Sequence, residues 1–140
     1  MRKWICGVAM LAILATVFAP SASFTEDQDT IRLARTIYAL GKRESYETKL
    51  ALGSVVMNRV ESDWFADDLG EVLQDQQQFP AGTRYDEESL AAAHALISGA
   101  RTLTPDALYY QSDDAQNPWG TENRVASVGS YHFYSESGNP

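Results

Sequence analysis

Two glutamates at a break between two helical patterns are the residues of this sequence best suited to acid chemistry. Glu44 and Glu47 lie in the polar stretch 41–48, and apolar residues spaced as on one face of a helix precede and follow it. A carboxyl group held at such a break, partly shielded by apolar side chains, could donate a proton to a substrate oxygen. The alternative is that residues 31–60 form two core helices joined by a solvated polar turn.

The other residue types of the chain exclude most other catalytic chemistries. The histidines are His94 and His132, and the one cysteine, Cys6, lies in the apolar N-terminal stretch. The sequence contains no His-x-x-His or Glu-x-x-His spacing, no phosphate-binding glycine loop and no Gly-x-Ser-x-Gly motif. We therefore expect no metal and no cofactor. Carboxylate chemistry of the kind that glycosidases use remains, and we expect His94 to be a surface or packed residue of a helix.

Helices must position the two glutamates. The apolar spacing predicts a helix that begins near Asp29 or Thr30, either of which could cap it, and that ends at Gly41 in a left-handed conformation. A second helix is predicted to end at residue 60. A third is predicted to begin after Asp86, as its N-cap, and to end before Gly99.

The last third of the chain has the composition of strands. Aromatic and β-branched residues predict strands over 107–111, 125–128 and 131–134. The order of the elements predicts an α+β fold, with helices first and a short antiparallel sheet at the C-terminal end. We expect one domain over residues 24–140, with a polar tail at 135–140.

Residues 1–23 have the pattern of a secretory signal peptide. Arg2 and Lys3 precede an apolar run that ends in small residues around Ser23, although an uncleaved membrane anchor is the alternative. Without these two cations the chain has 9 basic and 19 acidic residues and a net charge of −10. That charge argues against nucleic acid as a partner. We expect an exported protein, in the periplasm or outside the cell, with no stable membrane span and no stable oligomer.

Short motifs spread from residue 30 to residue 136 resemble the catalytic domain of the spore cortex-lytic, or cell-wall hydrolase, family. The most distinctive is Asn58-Arg59-Val60 at the end of a helix rich in alanine and valine, and others are Gln78-Phe79, Tyr109-Tyr110 and Phe133-Tyr134. The resemblance implies a small lysozyme-like domain that cleaves the glycan strands of peptidoglycan, as a lytic transglycosylase or muramidase. In the transglycosylase route the muramic acid's own hydroxyl attacks the sugar carbon, so one glutamic acid is enough.

The chain departs from the family pattern at the residue that the resemblance implies is the general acid. Ungapped counting from Asn58 puts Leu40 at that place, while Glu44 matches a second glutamate of the family. One interpretation is an active enzyme in which Glu44 is the acid, with Glu47 in reserve. The other is a catalytically silent relative that binds peptidoglycan or modulates another cell-wall enzyme. An exported interaction protein unrelated to peptidoglycan is a third possibility.

Six further residues are candidates for substrate binding. Amides of the glutamine-rich loop 74–78 could line a sugar groove or simply be solvated, and aromatic rings could stack on sugars or pack in the core. The family's histidine is displaced by one residue here, so a tyrosine could occupy its place. The candidates are Gln78, Tyr109, Tyr110, Trp119, Tyr131 and His132. We expect Asn58 and Arg59 to fix the helix end.

Overall fold

The computed structural model describes residues 27–138, which form four helices followed by a three-stranded sheet. The helices are α1 (Gln28–Gly41), α2 (Tyr46–Glu61), α3 (Leu69–Val72) and α4 (Glu87–Ile97), and the strands are β1 (Tyr109–Ser112), β2 (Arg124–Val128) and β3 (Tyr131–Tyr134). This order confirms the predicted α+β fold. The predicted signal peptide, residues 1–23, lies outside the described residues. No helix within 27–138 combines the length and apolar character needed to cross a bilayer.

Helix α2 forms the centre of the core. Ser45 caps it by accepting a hydrogen bond from the Thr48 backbone N–H, at 3.2 Å. Most of its residues are buried, because α1 and α4 pack on it from the helical side and the sheet from the other. Gly53 allows the closest approach, since a Cβ atom there would overlap the Leu96 side chain of α4. The apolar sequence of α2 therefore reflects a helix with hardly any solvent face.

The sheet is antiparallel, with β3 between β1 and β2. Tyr110 pairs with Phe133, and Ser112 pairs with Tyr131. Because side chains alternate along a strand, these four residues share the face that packs on the helices. The Gln111–His132 pair belongs to the opposite face. The sheet therefore separates the sequence neighbours Tyr131 and His132.

The start and the end of α1 each differ in one detail from the sequence-based expectation. Asp27, not Asp29 or Thr30, is the N-cap of α1, and its carbonyl accepts from the Ile31 N–H. Gly41 ends α1 as predicted, but within residues 27–138 a positive φ occurs at Gly99 and Gly129 and not at Gly41. The glycine at position 41 is instead explained by close packing, because a Cβ atom there would lie 3.1 Å from Leu52 Cδ1. Gly99, at φ 114°, follows α4 as expected.

The end of α2 is tied to the segment that leads into the sheet. The Asn58 side-chain amide donates to the carbonyls of Thr104 and Ala107, at 2.9 and 3.1 Å. Asn58 is only 4% exposed, so its side chain supplies donors where water does not reach. The expectation that Asn58 fixes the helix end is confirmed.

We predict that Asn58→Ala lowers the free energy of unfolding by about 2–3 kcal/mol, because it removes both side-chain hydrogen bonds from a buried position. Urea unfolding followed by circular dichroism measures this change. Asn117→Ala is the matched control, since Asn117 is exposed, and it should change stability by less than about 0.5 kcal/mol. Equal losses in the two variants would show that the Asn58 contacts do not hold the sheet to α2.

Candidate functional site

A cleft of about 460 Å³ lies where the turn between α1 and α2 faces the sheet. Residues 39–44 form one wall, and the ends of β1 and β3 form the other. The residues of the second wall are Ser112, Asp113, Asp114, Ser130 and Tyr131. The cleft thus brings together Glu44 and Tyr131, two of the residues that the sequence singled out.

Glu44 joins the two walls. Its Oε1 accepts a hydrogen bond from the Ser130 backbone N–H at 2.8 Å, and its Oε2 accepts from Ser130 Oγ at 3.2 Å. Ser130 lies in the turn between β2 and β3. Gly129 makes this turn possible, because its φ of 56° is in the left-handed region that other residues avoid. The Glu44 side chain is half-buried and oriented by both contacts. The structure therefore holds the Glu44 carboxyl group at the cleft by two hydrogen bonds from Ser130.

Leu40, in the last turn of α1, lines the same cleft and precedes Glu44 by four residues. Its backbone carbonyl accepts a hydrogen bond of 2.6 Å from the Tyr131 hydroxyl. Burial raises the pKa of Tyr131, and the nearby Glu44 carboxylate raises it further. The phenol therefore stays protonated near neutral pH and remains a donor to Leu40. Tyr131 thereby holds the sheet against the end of α1.

Glu47 does not line the cleft. It lies in the first turn of α2 and is exposed to solvent. An exposed carboxyl lacks the apolar shielding that keeps a general acid protonated. The structure therefore separates the two glutamates, and Glu44 is the better placed of the pair.

Gln78 and Tyr109 belong to a second cluster, around the buried Arg59. Arg59 Nε donates to the Leu108 carbonyl, and Nη2 donates to Gln78 Oε1, both at 2.7 Å. The guanidinium carbon lies 4.9 Å from the centre of the Tyr109 ring. Burial lowers the pKa of Arg59, while Asp75, 3.5 Å away, opposes that shift. The Gln78 amide oxygen is thus occupied by the protein's own cation.

Tyr110 lies in the core between this cluster and the cleft. It is 8% exposed, and its hydroxyl donates to the Gln78 backbone carbonyl. Its ring centre is 5.7 Å from that of Tyr131, in an edge-to-face arrangement. Burial raises the pKa of Tyr110. Tyr110 therefore packs against Tyr131 from within the core and does not line the cleft.

Trp119 and His132 lie outside the cleft. His132 Nδ1 hydrogen-bonds Ser127 Oγ at 2.7 Å, and its Nε2 lies 2.5 Å from Asp113 Oδ1. The Trp119 ring packs edge-on against Tyr134, with 4.9 Å between ring centres. Gly138 of the predicted polar tail lies against the same indole. A substrate-binding role for Trp119 and His132 stays a prediction.

Sequence reasoning missed the partner of Glu44. Ser130 supplies two donors to that carboxyl group, and Asp113 and Asp114 add acidic side chains to the opposite wall. The Gly129-Ser130 dipeptide between two strands is a turn signal, which could have placed Ser130 at a loop tip. Nothing in the sequence indicated that this tip reaches a residue 86 positions away.

Comparison with known sequences gives consistent matches. The sequence profile of the family described as Cell Wall Hydrolase matches residues 43–134. Spore cortex-lytic enzymes of Bacillus subtilis (strain 168) and Oceanobacillus iheyensis are each 29% identical, over 99 and 114 residues. These alignments cover 66% and 76% of this chain but 32% and 41% of the relatives, so the chain spans well under half of their length. The profile match includes Glu44 and begins after Leu40.

Comparison with solved structures gives the same architecture. The catalytic domain of the germination-specific lytic transglycosylase SleB from Bacillus anthracis superposes with a TM-score of 0.69, and the catalytic domain of the Bacillus cereus SleB protein with 0.67. Both are 23% identical and cover 80% and 79% of this chain, and 98% and 93% of their own length. At 23% sequence identity, this structural similarity shows the fold alone.

We predict that Gly129→Ala lowers the free energy of unfolding by about 2 kcal/mol, because a Cβ atom forces a left-handed residue into strain. That atom would also overlap the Thr48 hydroxyl and lie 2.6 Å from Glu44 Oε1. Gly120→Ala is the control, since a Cβ atom there meets nothing within 4 Å. Urea unfolding compares the two variants, and the Ser130 amide resonance reports the loss of its contact. Similar stability of the two variants, with an unchanged Ser130 amide resonance in both, would contradict the claim that the turn requires glycine at position 129.

Proposed function

The chain belongs to the cell wall hydrolase family, and we propose that it cleaves the glycan strands of peptidoglycan with Glu44 as the proton donor. The observation that carries this proposal is the position of Glu44. Its carboxyl group is half-buried in the cleft and held there by Ser130. The names of its relatives, spore cortex-lytic enzymes and a lytic transglycosylase, support the same class of reaction.

The proposed reaction needs one acid. Protonated Glu44 gives its proton to the oxygen that leaves as the bond between that oxygen and the muramic sugar carbon breaks. The hydroxyl on carbon 6 of the same sugar attacks that carbon and returns its proton to the Glu44 carboxylate. The products are an anhydro-muramic end and a free hydroxyl on the leaving sugar. Attack by water instead gives the hydrolytic product.

The contacts of Glu44 are compatible with proton donation. Ser130 Oγ is 3.2 Å from Oε2, the longer of the two contacts. A serine hydroxyl rotates and both donates and accepts, so it can follow a change in the protonation of Glu44. The Ser130 backbone N–H meanwhile keeps Oε1 in place. Ser130 would then act by positioning the acid.

A catalytically silent relative is the second candidate, and one observation favours it. Leu40 lines the cleft at the place where the family resemblance implies a glutamic acid, and leucine cannot donate a proton. Glu44, four residues later and beyond the end of α1, is already hydrogen-bonded to Ser130. In that case the protein would bind glycan or modulate another cell-wall enzyme through the same cleft.

We further propose that residues 1–23 direct export, because peptidoglycan lies outside the cytoplasmic membrane, and that residues 24–140 are the active part and act as a monomer. The positive end and apolar run of residues 1–23 support this proposal. The absence of cysteine after residue 23 means that the exported domain depends on its packed core.

We predict that Glu44→Gln lowers the rate of product release from purified peptidoglycan by about 10²–10⁴-fold, because glutamine cannot donate the proton. Mass analysis of the soluble fragments identifies anhydro-muramic or hydrolytic ends. Glu47→Gln is the matched control, since it makes the same change at an exposed position outside the cleft, and its rate should remain within about threefold of the parent.

Three other results would change the account. Loss of activity in Glu47→Gln but not in Glu44→Gln would assign the acid role to the reserve candidate. No products from the parent protein, but products from Leu40→Glu, would establish a binding domain silenced at one position. No cleavage and no retention on peptidoglycan by any variant would refute a cell-wall substrate.

A further inference from the structure

The Glu44 cleft continues along helix α1, away from the sheet. A depression of about 220 Å³ between α1 and the loop 81–84 adjoins the cleft, and a pocket of about 250 Å³ adjoins that depression. We call the three together the α1 groove. Each member shares two lining residues with the next: Ala39 and Lys42 first, then Ala81 and Gly82.

The α1 groove collects positive charge in an otherwise acidic chain. Five of the nine basic residues after position 23 line it, namely Arg32, Arg35, Lys42, Arg43 and Arg84. The acidic lining residues, Glu44, Asp113 and Asp114, all belong to the cleft. The depression and the pocket beyond it have no acidic lining residue. Beyond the cleft, all the charged residues that line the groove are therefore basic.

These groove cations differ from the other cations in their pairing. Outside the groove, Lys49, Arg59 and Arg101 each form an ion pair with a carboxylate, and Arg124 hydrogen-bonds the Tyr134 hydroxyl. Within the described part of the chain, the five groove cations form neither an ion pair nor a side-chain hydrogen bond. Their charges are thus available to a ligand.

The far pocket has the features of a site for an anion. Arg32 and Arg35 are one helical turn apart on α1 and both line it, and the Nε of Arg35 is buried without a partner. Gly70 leaves room for Arg32, because a Cβ atom there would lie 2.6 Å from Arg32 Nη1. Asp68, which also lies beside Gly70, accepts from the Glu71 N–H. The amides of Gln74 and Gln76 complete the wall.

We propose that this pocket binds a carboxylate of the peptide that hangs from the muramic sugar of peptidoglycan. The proposal rests on the proposed function, since it needs the glycan strand in the Glu44 cleft. Arg35 and Arg32 precede Leu40 by five and eight residues, which is about 8 and 12 Å along a helix. An extended peptide of three or four residues spans about 10–14 Å. The peptide therefore reaches the arginine pair through the groove.

Guanidinium groups suit this ligand. An arginine binds a carboxylate through two parallel N–H donors, and partly buried charge-assisted hydrogen bonds are stronger than neutral ones. Phosphate would satisfy the same donors, so the shared chemistry is that of an oxyanion. The carboxylate is favoured because the groove connects the pocket to the cleft, and a substrate attached at the cleft supplies carboxylates along that path.

The test compares two ligands by isothermal titration calorimetry. The first is soluble glycan chains with their peptides, and the second is the same chains with the peptide carboxylates converted to amides. The parent protein should bind the amidated chains about tenfold more weakly. Arg32→Gln/Arg35→Gln should bind both chains with the same affinity, since it has lost the partner of the carboxylate. Arg101→Gln makes a single change of the same type outside the groove and should keep the tenfold ratio.

The outcomes separate this inference from the proposed function. Equal binding of both chains by the parent protein would overturn the peptide site and leave the glycan cleft standing. A tenfold ratio that survives in Arg32→Gln/Arg35→Gln would also overturn it, because the carboxylate would then bind elsewhere. Binding of neither chain would refute the proposed function and this inference together. Binding of inorganic phosphate by the parent protein but not by Arg32→Gln/Arg35→Gln, together with equal binding of the two chains, would overturn the inference in favour of a phosphate site.

Discussion

A buried guanidinium is the constraint on which the relation between helices and sheet depends. Arg59 is 2% exposed, and a charge in that position is tolerated only when its donors are satisfied. Its three partners come from two segments: the Leu108 carbonyl lies just before β1, and the Gln78 amide and the Asp75 carboxylate lie in the loop 74–78. The rings of Phe65, Phe79 and Tyr109 surround it within 4.5–4.9 Å. Removing the cation would leave the Leu108 carbonyl and the Gln78 amide oxygen without this donor.

The cleft follows from this anchoring. Arg59 and Asn58 fix the start of β1 against the end of α2. The end of β1 and the turn between β2 and β3 therefore lie near the beginning of α2. There Ser130 meets Glu44, and Tyr131 meets the Leu40 carbonyl. The contact between α2 and the sheet at one end thus positions a carboxyl group at the other. The cleft is a consequence of the packing, and its chemistry depends on the few residues that face it.

The sequence predicted the elements well because their signals are local. Apolar spacing, the Asp86 cap and Gly99 located the helices, and the β-branched and aromatic runs located the strands to within two residues of their observed bounds. It also predicted that Asn58 and Arg59 are structural. The role of Gly41 was misread, because the left-handed conformation and close packing against Leu52 both require glycine, and a sequence does not distinguish them.

The site was predicted less completely because it depends on contacts between distant residues. The pairing of Glu44 with Ser130, and the turning of Gln78 toward Arg59, require the tertiary arrangement. The one-residue displacement of His132 did have the consequence expected of a strand: Tyr131 faces the cleft and His132 the opposite face. The unpaired arginines of α1 could not be recognised from sequence, since pairing is visible only when the acids of other elements are placed.

The central claim is that the glycan strand binds in the cleft lined by Glu44 and Ser130, and a nuclear magnetic resonance titration tests it most directly. Soluble peptidoglycan glycan chains would be added to ¹⁵N-labelled protein, and the amide shifts would be followed residue by residue. The account predicts the largest changes at the Ser130 amide, which donates to Glu44, and along residues 41–45. Changes confined to Trp119 and the outer face around His132, with an unmoved Ser130 amide, would contradict it.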